Sequence, residues 1–255
     1  MSVTVPELSI VIPCFNEELR LPQSLVRISE YVRTRRRETE IIVVDDGSSD
    51  RTAAVAESFH REMPSLRVLA NSENRGKGYS VRRGVLEARG RVVLFTDADL
   101  SAPIEEAEKL LAALDGCDVA IGSRALDRSL ISVHQSPFRE YAGMVFNAIV
   151  RLVLRLPFVD TQCGFKAFRR EACRIVFAQQ RIERFGFDPE ILYLARHHGL
   201  RAVEIPVRWA HSKATRVSLL RDSVQMFLDV WVIRSNALAG RYPRSRQHHF
   251  VSQST

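Results

Sequence analysis

Short apolar runs recur through the first half of the chain, each followed by a stretch in which apolar residues return every three or four positions. Leu8–Pro13, Glu40–Asp45, Leu66–Ala70, Arg91–Phe95 and Asp118–Gly122 are rich in Val, Ile and Leu. Runs of this kind read as strands buried on both faces, the pattern of a parallel sheet covered by helices. The intervening periodicity predicts helices from about Leu21 to Arg37, from Asp50 onward, from Lys77 to Ala88 and from Ile104 to Leu114. Strands alternating with helices of this length predict an α/β fold with a doubly wound, mostly parallel sheet. Right-handed crossovers then bring the carboxyl ends of the strands to one rim, where open sheets bind ligands.

Past Arg124 the alternation stops. A polar loop (125–137) precedes a long apolar helix around Met144–Pro157, a short strand near Gly164–Arg169, a helix from Pro189 to His198, a strand over Ala202–Val207 and a last helix over Val217–Ala239. No internal repeat is visible. The expectation is a single domain over 1–239 whose second half, 125–239, elaborates a site built by 1–124. The composition of residues 240–255, rich in Arg, His, Ser and Gln, predicts a disordered tail.

The most informative polar positions lie where apolar runs end. Val92–Phe95 leads into Thr96-Asp97-Ala98-Asp99, and Ile41–Val44 leads into Asp45-Asp46-Gly47-Ser48-Ser49-Asp50. Both runs deliver carboxylates to the same rim. Asp97 and Asp99 offer two hard oxygen donors suited to Mg²⁺ or Mn²⁺ that also grips a diphosphate. The same residues also suit a polar turn ahead of a helix, since Asp and Ser are good N-caps. Between the two acidic sites, Asn74-Arg75-Gly76-Lys77-Gly78 opens a helix. Glycines there let backbone N–H groups approach an anion favoured by the helix N-terminus.

Taken in order, PCFNEE, VVDDGSSD, NRGKG and FTDADLSAP resemble the family 2 glycosyltransferases with the GT-A fold, over nearly the whole chain. Gly122-Ser-Arg124, Asp160–Lys166 and Phe185-Gly-Phe-Asp188-Pro-Glu190 are similar to the polyprenyl-phosphate sugar synthases, especially the dolichyl-phosphate β-glucosyltransferase group. The resemblance implies a nucleotide-sugar-binding half over 1–124 and an acceptor half over 125–239. It implies that Pro13, Glu17, Asp46 and Lys77 serve the donor nucleotide and that Asp97 and Asp99 hold the metal on the diphosphate. Asp188 and Glu190 fall where more distant members place a catalytic carboxylate, although Asp188-Pro189 also opens a helix in the favoured order. Thr215-Arg216-Val217-Ser218 is similar to the family's mobile segment. Some mannosyl relatives carry Gln where this chain has Ser101, so that position is not assigned to the metal.

In an inverting transfer to a lipid monophosphate, the nucleophile is already largely anionic near neutral pH, because the second pKa of a phosphate monoester is about 6. Such a site needs cations that hold the phosphate in line rather than a strong base. Arg124, Arg139, Lys166 and Arg216 are the acceptor-phosphate candidates, with Lys213 behind them. Any one of them also fits a solvated surface charge.

Composition changes the picture in three ways. The net charge is +7, and only four of the 37 basic residues are Lys; so much Arg suits phosphates and anionic membrane surfaces. No nucleic-acid-binding signature accompanies it. Four cysteines without a Cys-x-x-Cys pair, and no secretory pattern at the start, fit a reduced cytoplasmic protein.

No uncharged apolar stretch reaches the ~18 residues of a spanning helix, so the expected attachment is peripheral, at the membrane's cytoplasmic face. Within the long apolar helix, Asn147, Arg151 and Arg155 form one narrow polar stripe. The helix is then either buried core or lies in the membrane interface with Arg reaching lipid phosphates. In the last helix Ser218, Asp222, Gln225 and Asp229 share a polar face opposite Leu220, Phe227, Val230, Trp231 and Val232.

The function read from the chain is metal-dependent transfer of a hexose, glucose from UDP-glucose foremost, to a polyprenyl phosphate. GDP-mannose as donor, a soluble or saccharide acceptor, and a catalytically silent sugar-nucleotide binder remain alternatives. A receiver-type signalling domain shares the early acidic spacing, but it ends within about 125 residues and has no use for a second acidic pair.

Overall fold

The computed structural model describes residues 5–134, 136–211 and 221–244. Strands β1 (Leu8–Cys14), β2 (Thr39–Asp45), β3 (Leu66–Ala70), β4 (Val92–Phe95) and β5 (Val119–Ser123) alternate with helices α1 (Leu21–Arg35), α2 (Thr52–Ser58), α3 (Lys77–Glu87) and α4 (Ala107–Ala113). The second half adds β6 (Ile131–Val133), α5 (Pro137–Leu154), β7 (Lys166–Arg169), α6 (Arg170–Gln179), α7 (Phe187–His197), β8 (Ala202–Pro206), β9 (Trp209–Ala210) and α8 (Arg221–Leu238).

Seven strands form one sheet in the order β3-β2-β1-β4-β7-β5-β8. Successive residues of a strand point to opposite faces, and here both faces are covered. Val11, Ile42, Val44, Val93 and Phe95 join the core beneath α3, α6 and α7. Their neighbours Ile10, Ile12, Ile41, Val43 and Leu94 join a second core with Leu21, Leu25 and Ile28 of α1 and Leu110 of α4. Continuous apolar runs are therefore what this sheet requires.

The register fixes the rim. Cys14 lies opposite Asp45, and Asp45 opposite Ala70. Val11 pairs with Phe95, so the segments that leave β1, β2 and β4 emerge side by side.

The structure departs from the sequence expectation at five places. Strand β7 runs antiparallel between β4 and β5, with Lys166 opposite both Phe95 and Ile121. Its amino end therefore meets the rim, and the preceding residues 160–165 join the site. Helix α6 follows β7 without a break and was not foreseen. Its buried Ala172, Cys173, Val176 and Phe177 have helical spacing, but no Gly or Pro separates them from the strand. The loop 125–137 contains β6, which pairs with β9 in a small parallel ribbon. The long helix starts at Pro137, about seven residues earlier than its apolar pattern, because Ser136-Pro137 places Pro in the first turn. The last departure is in the tail: residues 241–244 belong to the fold, and Tyr242 is 3% exposed. The remainder, from 245, lies outside the described residues, as does the segment 212–220 ahead of α8.

Helices α5 and α8 pack against each other, and neither is an ordinary core helix. Of α5 only Val150 and Leu154 are buried; Phe138, Tyr141, Met144 and Leu152 are exposed. In α8 the polar–apolar expectation is partly reversed. Asp229 and Asn236 are buried together with Val230 and Ile233, whereas Val224, Leu228 and Trp231 face outward. Among the described residues no helix is long and apolar enough to cross a membrane.

Candidate active site

The rim carries a cleft with two lobes that meet at Lys77, Asp97, Asp99 and Phe185. The first lobe, about 700 Å³, is large enough for a nucleotide-sized ligand. Pro13, Glu17, Asp46 and Lys77 all line it, together with Arg20, Asn74, Gly76, Ser80 and Arg184. Its floor is the amino end of α3, where the helix dipole favours an anion. Gly76 has φ +112°, and a side chain there would strike the Glu183 carbonyl; only glycine makes this turn.

Asp46 organises that turn. One carboxylate oxygen accepts from the Asn71 side chain at 2.7 Å and from the Arg75 N–H at 3.1 Å, and the other accepts from the Gly76 N–H at 2.7 Å. Asp45 does the same for its own loop, accepting from the Ser48 hydroxyl and backbone N–H. Glu17 is held by Arg20, whose Nε donates to it at 2.6 Å. Arg20 also stands 3.8 Å from Asp99, a placement that the sequence reading missed.

Asp97 and Asp99 occupy a tight turn that leaves β4. The Ser24 hydroxyl donates to the Ala98 carbonyl at 2.6 Å, the Leu100 N–H to the Asp97 carbonyl at 3.1 Å, and the Ser101 N–H to Asp99 at 3.0 Å. Leu100 takes φ +47°, an unfavourable left-handed conformation for a branched side chain that surrounding contacts must enforce. Lys77 reaches across from α3 and meets Asp97 at 2.5 Å. Burial works against the Lys77 charge, but Asp97 beside it, with Asp188 and Asp99 nearby, lifts its pKa above the ordinary lysine value. Among the described residues no three His, Cys, Asp or Glu side chains could hold a metal by themselves. Two carboxylates fit a hard divalent ion that takes its remaining ligands from phosphate oxygens and water.

The second lobe, about 490 Å³, is lined by Arg124, Arg128, Arg139, Asp160, Asp188, Trp209 and His211, and by Met144, Phe146 and Met226 from the α5–α8 side. Arg124 faces it as expected, but it is already engaged. Nε and an NH₂ group donate to the two oxygens of Asp160 at 2.7 and 2.8 Å, and the guanidinium lies 5.5 Å from the Trp209 ring centroid. Burial alone would raise the Asp160 carboxyl; Arg124 overcomes it and holds the pKa at about 2. Arg128, not anticipated, pairs with Glu140 at the mouth. Arg139 lines the same wall.

Lys166 needs correction. It is wholly buried and lines neither lobe. Its ammonium donates to Asp188 and to the Cys163 carbonyl, which makes it the fixed partner of Asp188 and not an exposed phosphate contact. Glu190 is also fully buried and lines neither lobe, so it cannot reach a reacting group. Arg216, with Lys213, lies outside the described residues. Arg20 and Arg128 carried no signal that separates them from other arginines. Asp160 stood inside a motif already noted, but its role depends on β7 running backwards.

The chain was compared with known proteins. Residues 9–177 match the model for glycosyl transferase family 2. The dolichyl-phosphate beta-glucosyltransferase of Drosophila melanogaster is 38% identical, over 92% of this chain and 77% of its own. The Homo sapiens protein of that name is 35% identical over the same shares. Among solved structures, glucosyl-3-phosphoglycerate synthase from Mycobacterium tuberculosis in complex with Mn²⁺, UDP and glucosyl-3-phosphoglycerate superposes with a TM-score of 0.66. It is 20% identical over 95% of this chain and 82% of that one, a likeness of fold alone. The same synthase was also crystallised with Mg²⁺ and UDP.

Gly164 supplies a direct test of the site's geometry. A Cβ there would lie 2.3 Å from one Asp97 carboxylate oxygen and 2.6 Å from the other. Because a mobile side-chain end is what must move, Gly164→Ala should keep its melting temperature within a few degrees. Displaced by about 1 Å, Asp97 should lower kcat/KM by roughly 100-fold. Activity within twofold of wild type would show that Asp97's position is not critical.

Proposed function

The chain belongs to glycosyl transferase family 2, and we propose that it transfers glucose from UDP-glucose to dolichyl phosphate or a related polyprenyl phosphate. The observation that carries the reading is the two-lobed cleft. A nucleotide-sized lobe and a cation-lined lobe share Lys77, Asp97 and Asp99, and the second opens beside exposed apolar faces of α5 and α8. The sugar and lipid named for the Drosophila and human relatives supply the substrate class. The donor half corresponds to 1–124 and the acceptor half to 125–239, with Arg184 and Phe185 reaching back to the donor lobe.

In this reading Pro13 and Glu17 border the nucleoside, Asp46 holds the phosphate loop, and Lys77 meets the diphosphate at the helix N-terminus. Asp97 and Asp99 would hold Mg²⁺ or Mn²⁺; such an ion, once bound, neutralises charge on the departing diphosphate. An acceptor phosphate oxygen forms the new bond to the anomeric carbon as the bond to the diphosphate breaks, and the nucleoside diphosphate leaves. Lys77 stabilises the charge that builds there. The acceptor is already ionised, so no group need remove a proton. Asp188, tied to Lys166 and close to Lys77, keeps those two ammonium groups in place instead of acting as a base. Arg139 and Arg128 orient the lipid phosphate, and the Arg124–Asp160 pair forms the wall behind it.

The helices α5 and α8 would lie at the membrane surface. Contiguous exposed apolar side chains on two adjacent helices, one of which turns its Asp inward, mark a contact surface. Arg151 on α5 and Arg155, just past its end, are exposed and suit anionic headgroups. The cytoplasmic face fits the four free cysteines.

Incubation with labelled UDP-glucose or GDP-mannose, divalent metal and dolichyl or undecaprenyl phosphate, followed by organic extraction, tests the reaction. Metal-dependent label should enter the lipid phase from UDP-glucose, and Asp99→Ala should reduce it by at least about 100-fold, as expected for lost electrostatic stabilisation. Label from GDP-mannose alone, or none in lipid, contradicts the assignment. For the membrane, sedimentation with anionic vesicles should bring down the wild-type protein and much less of Leu228→Ser/Trp231→Ser. Equal recovery of both would remove α8 from the contact.

A further inference from the structure

Glu190 is a buried carboxylate that the proposed reaction leaves without a task. It sits in the first turn of α7 with no exposed surface, where an unpaired charge would cost several kcal/mol. Three donors meet it, all from outside its own helix. The Arg181 N–H lies 3.0 Å from each oxygen, the Ile182 N–H donates at 2.8 Å, and the Tyr242 hydroxyl donates at 2.7 Å. Tyr242 comes from the short segment beyond α8. It is anchored there by a 3.0 Å contact between its carbonyl and His197 Nε2, and by ring contact with Tyr193. Arg181 and Gln179 add bonds to the carbonyls of Arg241 and Pro243.

What Glu190 holds is the segment 180–186, which is one wall of the donor lobe. The Gln180 side chain donates to the Gly78 and Ile182 carbonyls, both at 2.9 Å. The Glu183 carbonyl accepts at 2.9 Å from the Tyr79 N–H, one of the donors that the first turn of α3 leaves unpaired. The Glu183 carboxylate pairs with Arg75, which lies over the Tyr79 ring. Arg184 and Phe185 then line the donor lobe itself. An unbroken set of hydrogen bonds therefore runs from Tyr242, beyond the exposed helix α8, through Glu190 to the loop that carries Gly76 and Lys77.

We propose that Tyr242 and Glu190 form a latch that sets the donor wall, with Glu190 a positioning residue for nucleoside-diphosphate binding. The latch rests on the reading of the first lobe as the donor site. It joins the end of the helix on the acceptor side to the phosphate loop on the donor side. Seating of α8 thereby tightens the donor lobe, and release of Tyr242 loosens it without touching Asp97 or Asp99.

Tyr242→Phe removes one hydroxyl and keeps the ring contact, so it tests the latch with little threat to folding. Calorimetric titration with UDP and Mn²⁺ should show a dissociation constant raised about three- to tenfold, the range expected for loss of one typical hydrogen bond. The donor KM should rise in parallel, with the acceptor KM within twofold of wild type. Glu190→Gln, which keeps an acceptor oxygen for the two N–H groups, should bind UDP better than Glu190→Ala. A lower melting temperature with unchanged UDP affinity in Tyr242→Phe overturns the latch, as does an equal rise in both KM values. Failure of the wild-type protein to bind UDP refutes the donor assignment and the latch with it.

Discussion

The structure depends on the neutralisation of carboxylates that the sheet crowds onto one rim. Glu17, Asp46, Asp97, Asp99, Asp160 and Asp188 all border the cleft, and like charges this close and this dry would repel. The fold answers with fixed partners: Arg20 for Glu17, backbone N–H groups for Asp46, Lys77 for Asp97, Arg124 for Asp160 and Lys166 for Asp188. Such pairs add little net stability, but loss of one member strands a buried charge. Their value here is orientation. The carboxylates are aimed before any ligand arrives, the preorganisation that electrostatic catalysis requires.

One topological choice makes that compensation possible. If β7 ran parallel to its neighbours, Lys166 would lie at the far end of the sheet and residues 160–165 would be remote from the rim. Running antiparallel, β7 brings Lys166 level with Phe95 and Ile121, beneath Asp188. The same reversal places Gly164 against Asp97 and Asp160 beside Arg124. The second lobe is thus built in part from a strand inserted into the sheet formed by residues 1–124.

The parallel core and its acidic loops were legible because they depend on local signals: continuous apolar runs, helical spacing and acidic residues at run ends. The direction of β7 was not, since Lys166–Arg169 is four residues long and its partners are distant in sequence. Arg124 and Arg139, which follow a strand and a loop in the sequence, both line the second lobe. Lys166 was misjudged because a lysine near a site reads as exposed, and only the Asp188 partnership explains its burial. The family resemblance pointed to Glu190 as a catalytic carboxylate; it is buried instead, and one of its partners, Tyr242, comes from residues that composition alone had assigned to a disordered tail. In α8 the amphipathic pattern was visible, but which face turns inward depended on α7 supplying a polar-tolerant surface at Gly186, against which Asp229 rests.

In the proposed reaction this compensated rim is preset to receive a diphosphate together with a divalent ion. Anomalous diffraction from crystals soaked in Mn²⁺, with and without UDP, addresses it most directly. A strong Mn²⁺ peak beside Asp97 and Asp99 is expected when UDP is present, with Lys77 shifted from Asp97 toward phosphate oxygen. A peak elsewhere on the rim, or UDP bound in the lobe lined by Arg128 and Arg139, would contradict it.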